Sequence, residues 1–361
     1  MPSVPLLMSS LLLLALLSPA ARGFSPRPLL RRSFQTGSFS LGAKAVTSPD
    51  DGALDGYSAR KVFMFPGQGA QFVGMAEDTA KSSPAAAALF SEASSILGYD
   101  LLSRCVSGPK ELLDTTACSQ PAIFVASMAA LAKFEEEGGD VSSATAACGL
   151  SLGEYTALCF AGAISFADGV RITQARGEAM QAASDEAESG MASVIGLDKG
   201  KVGELCERAS EVSGEQVAIA NFLCAGNYAV SGSKKAIATV REIAKPEFKA
   251  RMAVPLAVAG AFHTSFMEPA VAPLKAVLET VEVKRPRIAV VSNVDAMPHS
   301  DPAVIKQILA RQVTSPVQWE ATMETLLEGG FEEGYEFGPG KVVSGIMKRV
   351  DKTAKMTNVE V

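Results

Sequence analysis

An α/β architecture, with a smaller ferredoxin-like unit inserted into a larger α/β domain, follows from three features of the sequence. Apolar runs alternate with helix-periodic segments from Arg60 onward, the pattern of a sheet covered by helices. Between Gly190 and Val258 the order becomes strand, helix, strand, strand, helix, strand, the βαββαβ series of a ferredoxin-like unit. A G-x-S-x-G run, Gly149 to Gly153, lies between a strand-like and a helix-like segment. Composition agrees, since 361 residues, 48% apolar and 20% charged, contain enough apolar material for a sizeable core.

The N-terminal stretch reads as targeting rather than fold. Met1 to Pro49 has no Asp or Glu and carries Arg22, Arg27, Arg31, Arg32 and Lys44. The apolar run Leu6 to Leu17 is too short for a mature membrane span and is followed by Ala20, Ala21 and Gly23, so residues 1–23 are expected to be a signal peptide. Residues 24–49, rich in Ser and Arg, have the composition of a transit peptide. The tandem, with Phe24 at the junction, resembles the two-part leaders of algae whose plastids lie inside extra membranes. The expected location is the plastid stroma, with secretion as the alternative. Six cysteines without a disulfide framework suit the reducing compartment.

Beyond the leader, residues 58–186 are expected to form the first part of the large domain, 187–259 the inserted unit and 260–358 the second part. Strands are expected at Lys61 to Phe65 and Ala144 to Cys148. Within the insert the expectation is strand Met191 to Leu197, helix Lys199 to Glu211, strands Val217 to Asn221 and Tyr228 to Ser231, helix Lys234 to Ala244 and strand Lys249 to Val258. The return to the large domain runs through Phe266 to Thr280 and Ile288 to Ser292.

Charge and residue counts exclude several functions. The net charge is −6; taking the five leader cations from the 33 basic residues leaves 28 against 39 acidic ones, or −11. No run of Lys and Arg interleaved with aromatics marks a nucleic-acid footprint. Two histidines and no CxxC pair leave no zinc-site spacing, so no metal is expected.

Ser151 is the strongest chemical candidate. In G-x-S-x-G the turn is so tight that flanking positions must lack side chains, and it exposes the hydroxyl at a helix N-terminus, where an oxyanion would meet backbone N–H groups. A serine hydroxyl needs a base. His299 lies in a Pro/Asp/Ser turn, whereas His263 follows a strand, so His263 is the better candidate. Arg176 is placed in a helix that Asp168 is expected to cap, on an apolar stripe with Ile172, Ala175, Ala179, Met180 and Ala183. A guanidinium held from water needs an anion, supplied either by a carboxylate of the fold or by a substrate. Phe65 to Gln71, with glycines at 67 and 69, follows a strand and would let backbone N–H groups approach a ligand; no Gly-Lys-Ser/Thr follows, so it is not a phosphate loop. Gly338-Pro339-Gly340 reads as a turn before a helix.

The segments FPGQGAQFVGM (Phe65 to Met75), SQPAIF (Ser119 to Phe124), GLSLGEYTAL (Gly149 to Leu158), RITQARGEAMQ (Arg171 to Gln181), GAFH (Gly260 to His263), RQVTSPVQW (Arg311 to Trp319) and EFGPGKV (Glu336 to Val342) together resemble the malonyl-CoA:acyl-carrier-protein transacylases, in order over nearly all of Arg60 to Val350. The resemblance implies an α/β-hydrolase-like core with the ferredoxin-like insert. It implies Ser151 as acylated nucleophile, His263 as base, and the N–H groups of Gln68 and Leu152 as oxyanion hole. Arg176 would hold the malonyl carboxylate, with Phe262 and Met180 lining the substrate site, and the Gln312 main-chain carbonyl would orient the histidine. GAFH is the form linked in this family to malonyl over methylmalonyl groups. Two positions depart: Leu150 stands where many members have histidine, and Leu223 where bacterial-type members have a second asparagine.

The activity so implied is ping-pong transfer of malonyl from malonyl-CoA to the phosphopantetheine thiol of acyl carrier protein, supplying fatty acid synthesis with no cofactor, by a monomer with no membrane contact in its mature form. A serine esterase or thioesterase shares the elbow but gains nothing from Arg176, and a non-catalytic carrier-binding module would need neither Ser151 nor His263. For docking an acidic carrier, Lys341, Lys348, Arg349 and Lys352, or Lys245, Lys249 and Arg251, are the candidate basic groups.

Overall fold

A computed structural model of the chain describes residues 58–361, so the leader expected at 1–49 lies outside the described residues. The first part of the chain runs β1 (Lys61–Phe65), α1 (Glu77–Ser82), α2 (Pro84–Leu97), α3 (Leu101–Ser107), α4 (Lys110–Leu113), α5 (Thr116–Glu136), β2 (Ala146–Gly149), α6 (Gly153–Phe160) and α7 (Phe166–Glu186). Next come β3 (Ser189–Ile195), α8 (Lys199–Ser213), β4 (Val217–Cys224), β5 (Asn227–Ser233), α9 (Lys234–Ile243) and β6 (Met252–Pro255). The chain ends with α10 (Glu268–Thr280), β7 (Ala289–Val291), α11 (Pro302–Gln312), α12 (Trp319–Glu328), β8 (Glu333–Phe337), α13 (Val342–Val350) and β9 (Lys355–Val359).

Two sheets result. One is parallel throughout, in the order β7-β2-β1-β8-β9. Its central strands β1 and β2 are almost wholly buried, which is why both read as unbroken apolar runs rather than alternating ones. The other sheet is antiparallel, in the order β4-β5-β3-β6. Its inward positions Ala192, Val194, Val217 and Val230 close a core with Val202, Leu205 and Val240 of α8 and α9. The largest core lies under the parallel sheet, where Phe63, Phe65, Phe160 and Phe337 pack ring to ring. Helix α5 is apolar along most of its length because it is enclosed, with Ile123, Phe124, Val125 and Leu131 all buried.

Two expectations need correction. The strand expected from Lys249 to Val258 pairs only over Met252–Pro255. Lys249 takes φ +62° and its N–H still bonds the Lys245 carbonyl, so the preceding turn is unfinished where the strand was to start. Helix α7 is capped by Ser165 rather than Asp168: the Ser165 hydroxyl accepts the Asp168 N–H, and Asp168 stands in the first turn.

Candidate active site

Three backbone approaches build the site. Strand β2 ends at Gly149, and a Cβ there would lie 2.0 Å from the Gly153 carbonyl group. A Cβ on Gly153 would lie 2.2 Å from the Phe65 oxygen, and one on Gly67 would lie 2.3 Å from the Leu150 oxygen. The loop after β1 and the turn after β2 therefore interlock at distances only glycine allows. The turn between them puts Ser151 at φ +51°, a left-handed position that costs energy for serine and persists where neighbours fix it.

Those neighbours are amides. The Ser151 N–H donates to Asn293 Oδ1, and its carbonyl accepts from Gln312 Nε2 at 3.0 Å. Asn293 Nδ2 in turn donates to the Gly149 carbonyl at 2.8 Å. Asn293 follows β7, the strand beside β2, and Gln312 is the last residue of α11.

The hydroxyl then meets two side chains. Ser151 Oγ is 2.9 Å from His263 Nε2 and accepts from Arg176 Nη2 at 3.1 Å. His263, at φ +61° after β6, is 3% exposed, and its Nδ1 lies 3.0 Å from the Gln312 main-chain oxygen. A carbonyl can only accept, so the ring proton sits on Nδ1 and Nε2 is left to take the hydroxyl proton. Burial, with the Arg176 charge second, pushes His263 down to about 4, against the bonds to the Gln312 and Ser315 main chains. The imidazole is neutral at pH 7. The other histidine, His299, is buried 3.1 Å from both Asp295 carboxylate oxygens.

Arg176 is 1% exposed. Its Nη1 donates to Gln120 Oε1 at 2.8 Å and its Nη2 to Gln312 Oε1 at 2.9 Å, while its Nε has no partner. Its charge sits 5.2 Å from the Tyr155 ring. No carboxylate makes direct ion-pair contact with it among the described residues; the Glu154 carboxylate reaches it only through Gln312. Met180 is buried behind it, its sulfur accepting from Gln120 Nε2 at 3.4 Å, and Phe262 is buried in the main core. The N–H groups of Gln68, in the loop after β1, and of Leu152, next to Ser151 in the chain, have no acceptor among the described residues.

The structure thus brings Ser151, His263, Arg176 and Gln312 into one hydrogen-bonded group and adds Asn293, Gln120 and Glu154, for which sequence reasoning found no role. The Glu154 carboxylate accepts from Gln312 Nε2 at 2.6 Å and from the Asn293 N–H at 3.1 Å, and burial raises it to about 7. Leu223 packs against the cluster of Val317 and Trp319, an apolar contact at the departing position. Of the basic groups considered for docking, Lys341 is paired with Glu360.

Residues 62–360 match the acyl transferase domain family. A malonyl CoA-acyl carrier protein transacylase of Salmonella typhimurium is 40% identical over 291 residues, 81% of this chain and 93% of that protein. A mitochondrial malonyl-CoA-acyl carrier protein transacylase of Homo sapiens is also 40% identical, over 81% of this chain and 77% of that one. Among solved structures, the malonyl CoA-acyl carrier protein transacylase of Coxiella burnetii superposes with TM-score 0.80 at 32% identity, covering 84% of this chain and 94% of that one. A malonyl-transacylase in complex with its type II PKS acyl-carrier protein gives TM-score 0.79 at 36% identity, covering 83% and 95%.

Proposed function

The chain belongs to the acyl transferase domain family, and on that premise we propose that it transfers malonyl from malonyl-CoA to the phosphopantetheine thiol of acyl carrier protein, for fatty acid synthesis. The observation that carries the choice of acyl group is Arg176: a buried guanidinium beside the nucleophile, with an unpaired Nε and no carboxylate partner among the described residues. A cation so placed suits an acyl group that brings its own carboxylate.

The geometry supports the following steps. His263 Nε2 accepts the Ser151 proton as Oγ bonds to the thioester carbon, and the resulting oxyanion would be met by the Gln68 and Leu152 N–H groups, the two donors that the family resemblance implies and that have no acceptor among the described residues. Collapse breaks the C–S bond, and the leaving thiolate takes the proton from His263, giving malonyl-Ser151 and free CoA. The carrier's thiol then passes its proton to His263, attacks the ester and releases Ser151, which recovers the proton. When the malonyl carboxylate pairs with Arg176, the charge that depresses His263 is offset, and the base is stronger with substrate bound. No metal or cofactor takes part in these steps.

Supports for the finer readings are separate. The parallel sheet with a serine at its strand-turn-helix elbow supports an α/β-hydrolase-like core, and the order β4-β5-β3-β6 supports a ferredoxin-like insert. Phe262 beside His263 supports a preference for malonyl over branched acyl groups. The acid-free leader supports a plastid protein, and six buried thiols suit a reducing stroma; a reporter carrying residues 1–49 should enter the plastid of a host with a secondary plastid, and its secretion would refute this.

Mass spectrometry of the protein mixed with malonyl-CoA tests the activity. A persistent malonyl adduct on Ser151, lost in Ser151→Ala and discharged by carrier protein, is the expected result. Rapid release of free malonate would make the protein a thioesterase instead, a reading Arg176 does not favour.

A further inference from the structure

Glu154 is a buried carboxyl group, 3% exposed, that the transfer steps do not use. It stands in the first turn of α6, three residues after the nucleophile, where a helix N-terminus favours negative charge. A single oxygen, Oε2, accepts from Gln312 Nε2 and from the Asn293 N–H. Both donors belong to residues that grip the serine. Gln312 Nε2 also reaches the Ser151 carbonyl, and Asn293 Oδ1 takes the Ser151 N–H.

A carboxamide can face either way, and its direction is set by its partners. With Nε2 held between Glu154 and the Ser151 carbonyl, Gln312 has to present Oε1 to Arg176 Nη2, 2.9 Å away. Turned over, it would point donors at a guanidinium that has only donors, and an acceptor at the Ser151 carbonyl.

We propose that Glu154 is a positioning residue for malonyl transfer: an acceptor fixed at its Oε2 position orients Gln312 and Asn293, and through them the Ser151 main chain and Arg176. The proposal rests on the reading of Ser151 as the acylated nucleophile and Arg176 as the carboxylate site. What the two donors require is an oxygen at that place, not a charge. The rise of the carboxyl to about 7 agrees, since a protonated Glu154 keeps a free oxygen at Oε2 when its proton is on Oε1.

Two substitutions separate place from charge. Glu154→Gln keeps an oxygen at the Oε2 position and removes the charge; Glu154→Asp keeps the charge and withdraws the oxygen by about 1.5 Å, one carbon–carbon bond. The experiment measures kcat and KM for malonyl-CoA and acetyl-CoA with carrier protein, normalised to sites that form the malonyl-Ser151 adduct. Glu154→Gln should stay within about fivefold of the parent. Glu154→Asp should lower malonyl kcat/KM roughly 30- to 100-fold, the scale of a misplacement near 1 Å, with raised KM and a smaller loss on acetyl. Loss in Glu154→Gln with activity kept in Glu154→Asp would overturn the proposal in favour of charge. Unchanged kinetics per site in both variants, with lowered Tm, would reduce Glu154 to a structural role. If the parent protein forms no adduct on Ser151, the underlying reading fails instead, and that result is seen before any variant is compared.

Discussion

Arg176 Nη2 lies 3.1 Å from Ser151 Oγ, so the buried cation of the site touches the hydroxyl proposed as the nucleophile. The same hydroxyl faces His263 Nε2 on its other side. Charge recognition and nucleophilic attack therefore share one atom, and the effect of removing Arg176 depends on what the acyl group carries.

Arg176→Ala should lower kcat/KM for malonyl-CoA by roughly 30- to several-thousand-fold, since losing one partner of a desolvated ion pair costs about 2–5 kcal/mol. Acetyl transfer should hold steady or rise. Steady-state rates with the two thioesters decide it: equal losses on both, with a lowered Tm, would make Arg176 a purely structural group held by Gln120 and Gln312.

A second consequence concerns pH. Burial pushes His263 from 6.5 down to about 4, so between those values the folded protein binds fewer protons than the unfolded chain, and stability falls as pH falls, by about 3 kcal/mol in all. Glu154, raised from 4.5 to about 7, has the opposite sign: the folded state holds the extra proton, and stability falls as pH rises through that range. The two slopes oppose each other from pH 4.5 to 6.5, and Tm of the parent protein should be nearly flat there. His263→Gln should instead lose Tm as pH rises from 4.5 to 7, and Glu154→Gln should gain Tm as pH rises from 4 to 6.5. Parent-like profiles in both variants would show that neither group titrates as the site geometry requires.

How much of this was legible follows from where each signal lies in the chain. Lys61–Phe65 is recognisable because four apolar residues in a row, Val62 to Phe65, end at Pro66-Gly67, and the elbow because its glycines are required by close backbone contacts. Arg176 is legible as an oddity on an apolar stripe, though its partners are not. Asn293 carries no local mark: it lies 142 residues from Ser151, and its role exists only because β7 pairs with β2. Glu154 is close in sequence but reads as an ordinary acidic residue in a first turn, since burial at a helix N-terminus is a tertiary fact. The overlong reading of β6 has a similar cause. Met252, Val254 and Leu256 alternate as a strand should, yet they alternate outward, at 37–46% exposure, on an edge of the sheet.

Two glycines of opposite surroundings offer a check on the packing of the elbow. Gly153→Ala would drive a Cβ into the Phe65 carbonyl oxygen, where backbone cannot yield cheaply, and should cost about 1–3 kcal/mol or more together with most of the activity. Gly203→Ala, inside α8 with nothing within 4 Å of the new Cβ, should stabilise by about 0.5–1 kcal/mol and leave transfer unchanged. Chemical denaturation with both variants tests the pair, and a tolerated Gly153→Ala would mean the turn is looser than these contacts require.

Asn293 supplies the last prediction, because one side chain satisfies two main-chain groups of the strained turn: it accepts from Ser151 N–H and donates to the Gly149 carbonyl. Asn293→Ala leaves both groups without those partners. At about 1–3 kcal/mol for each buried group left unsatisfied, the loss should total roughly 2–5 kcal/mol, eased where water enters the vacated space. Ser151 at φ +51° then loses the partner of its N–H, while its carbonyl still accepts from Gln312 Nε2 and from the Glu154 N–H. The hydroxyl drifts from His263 Nε2, and acylation by malonyl-CoA should slow about 10- to 100-fold, on the scale expected for a nucleophile displaced by an ångström or less. Single-turnover formation of the malonyl-Ser151 adduct reads this step apart from carrier binding. An Asn293→Ala protein that acylates at the parent rate would show that the turn holds its geometry unaided, and that the amide contributes to folding alone.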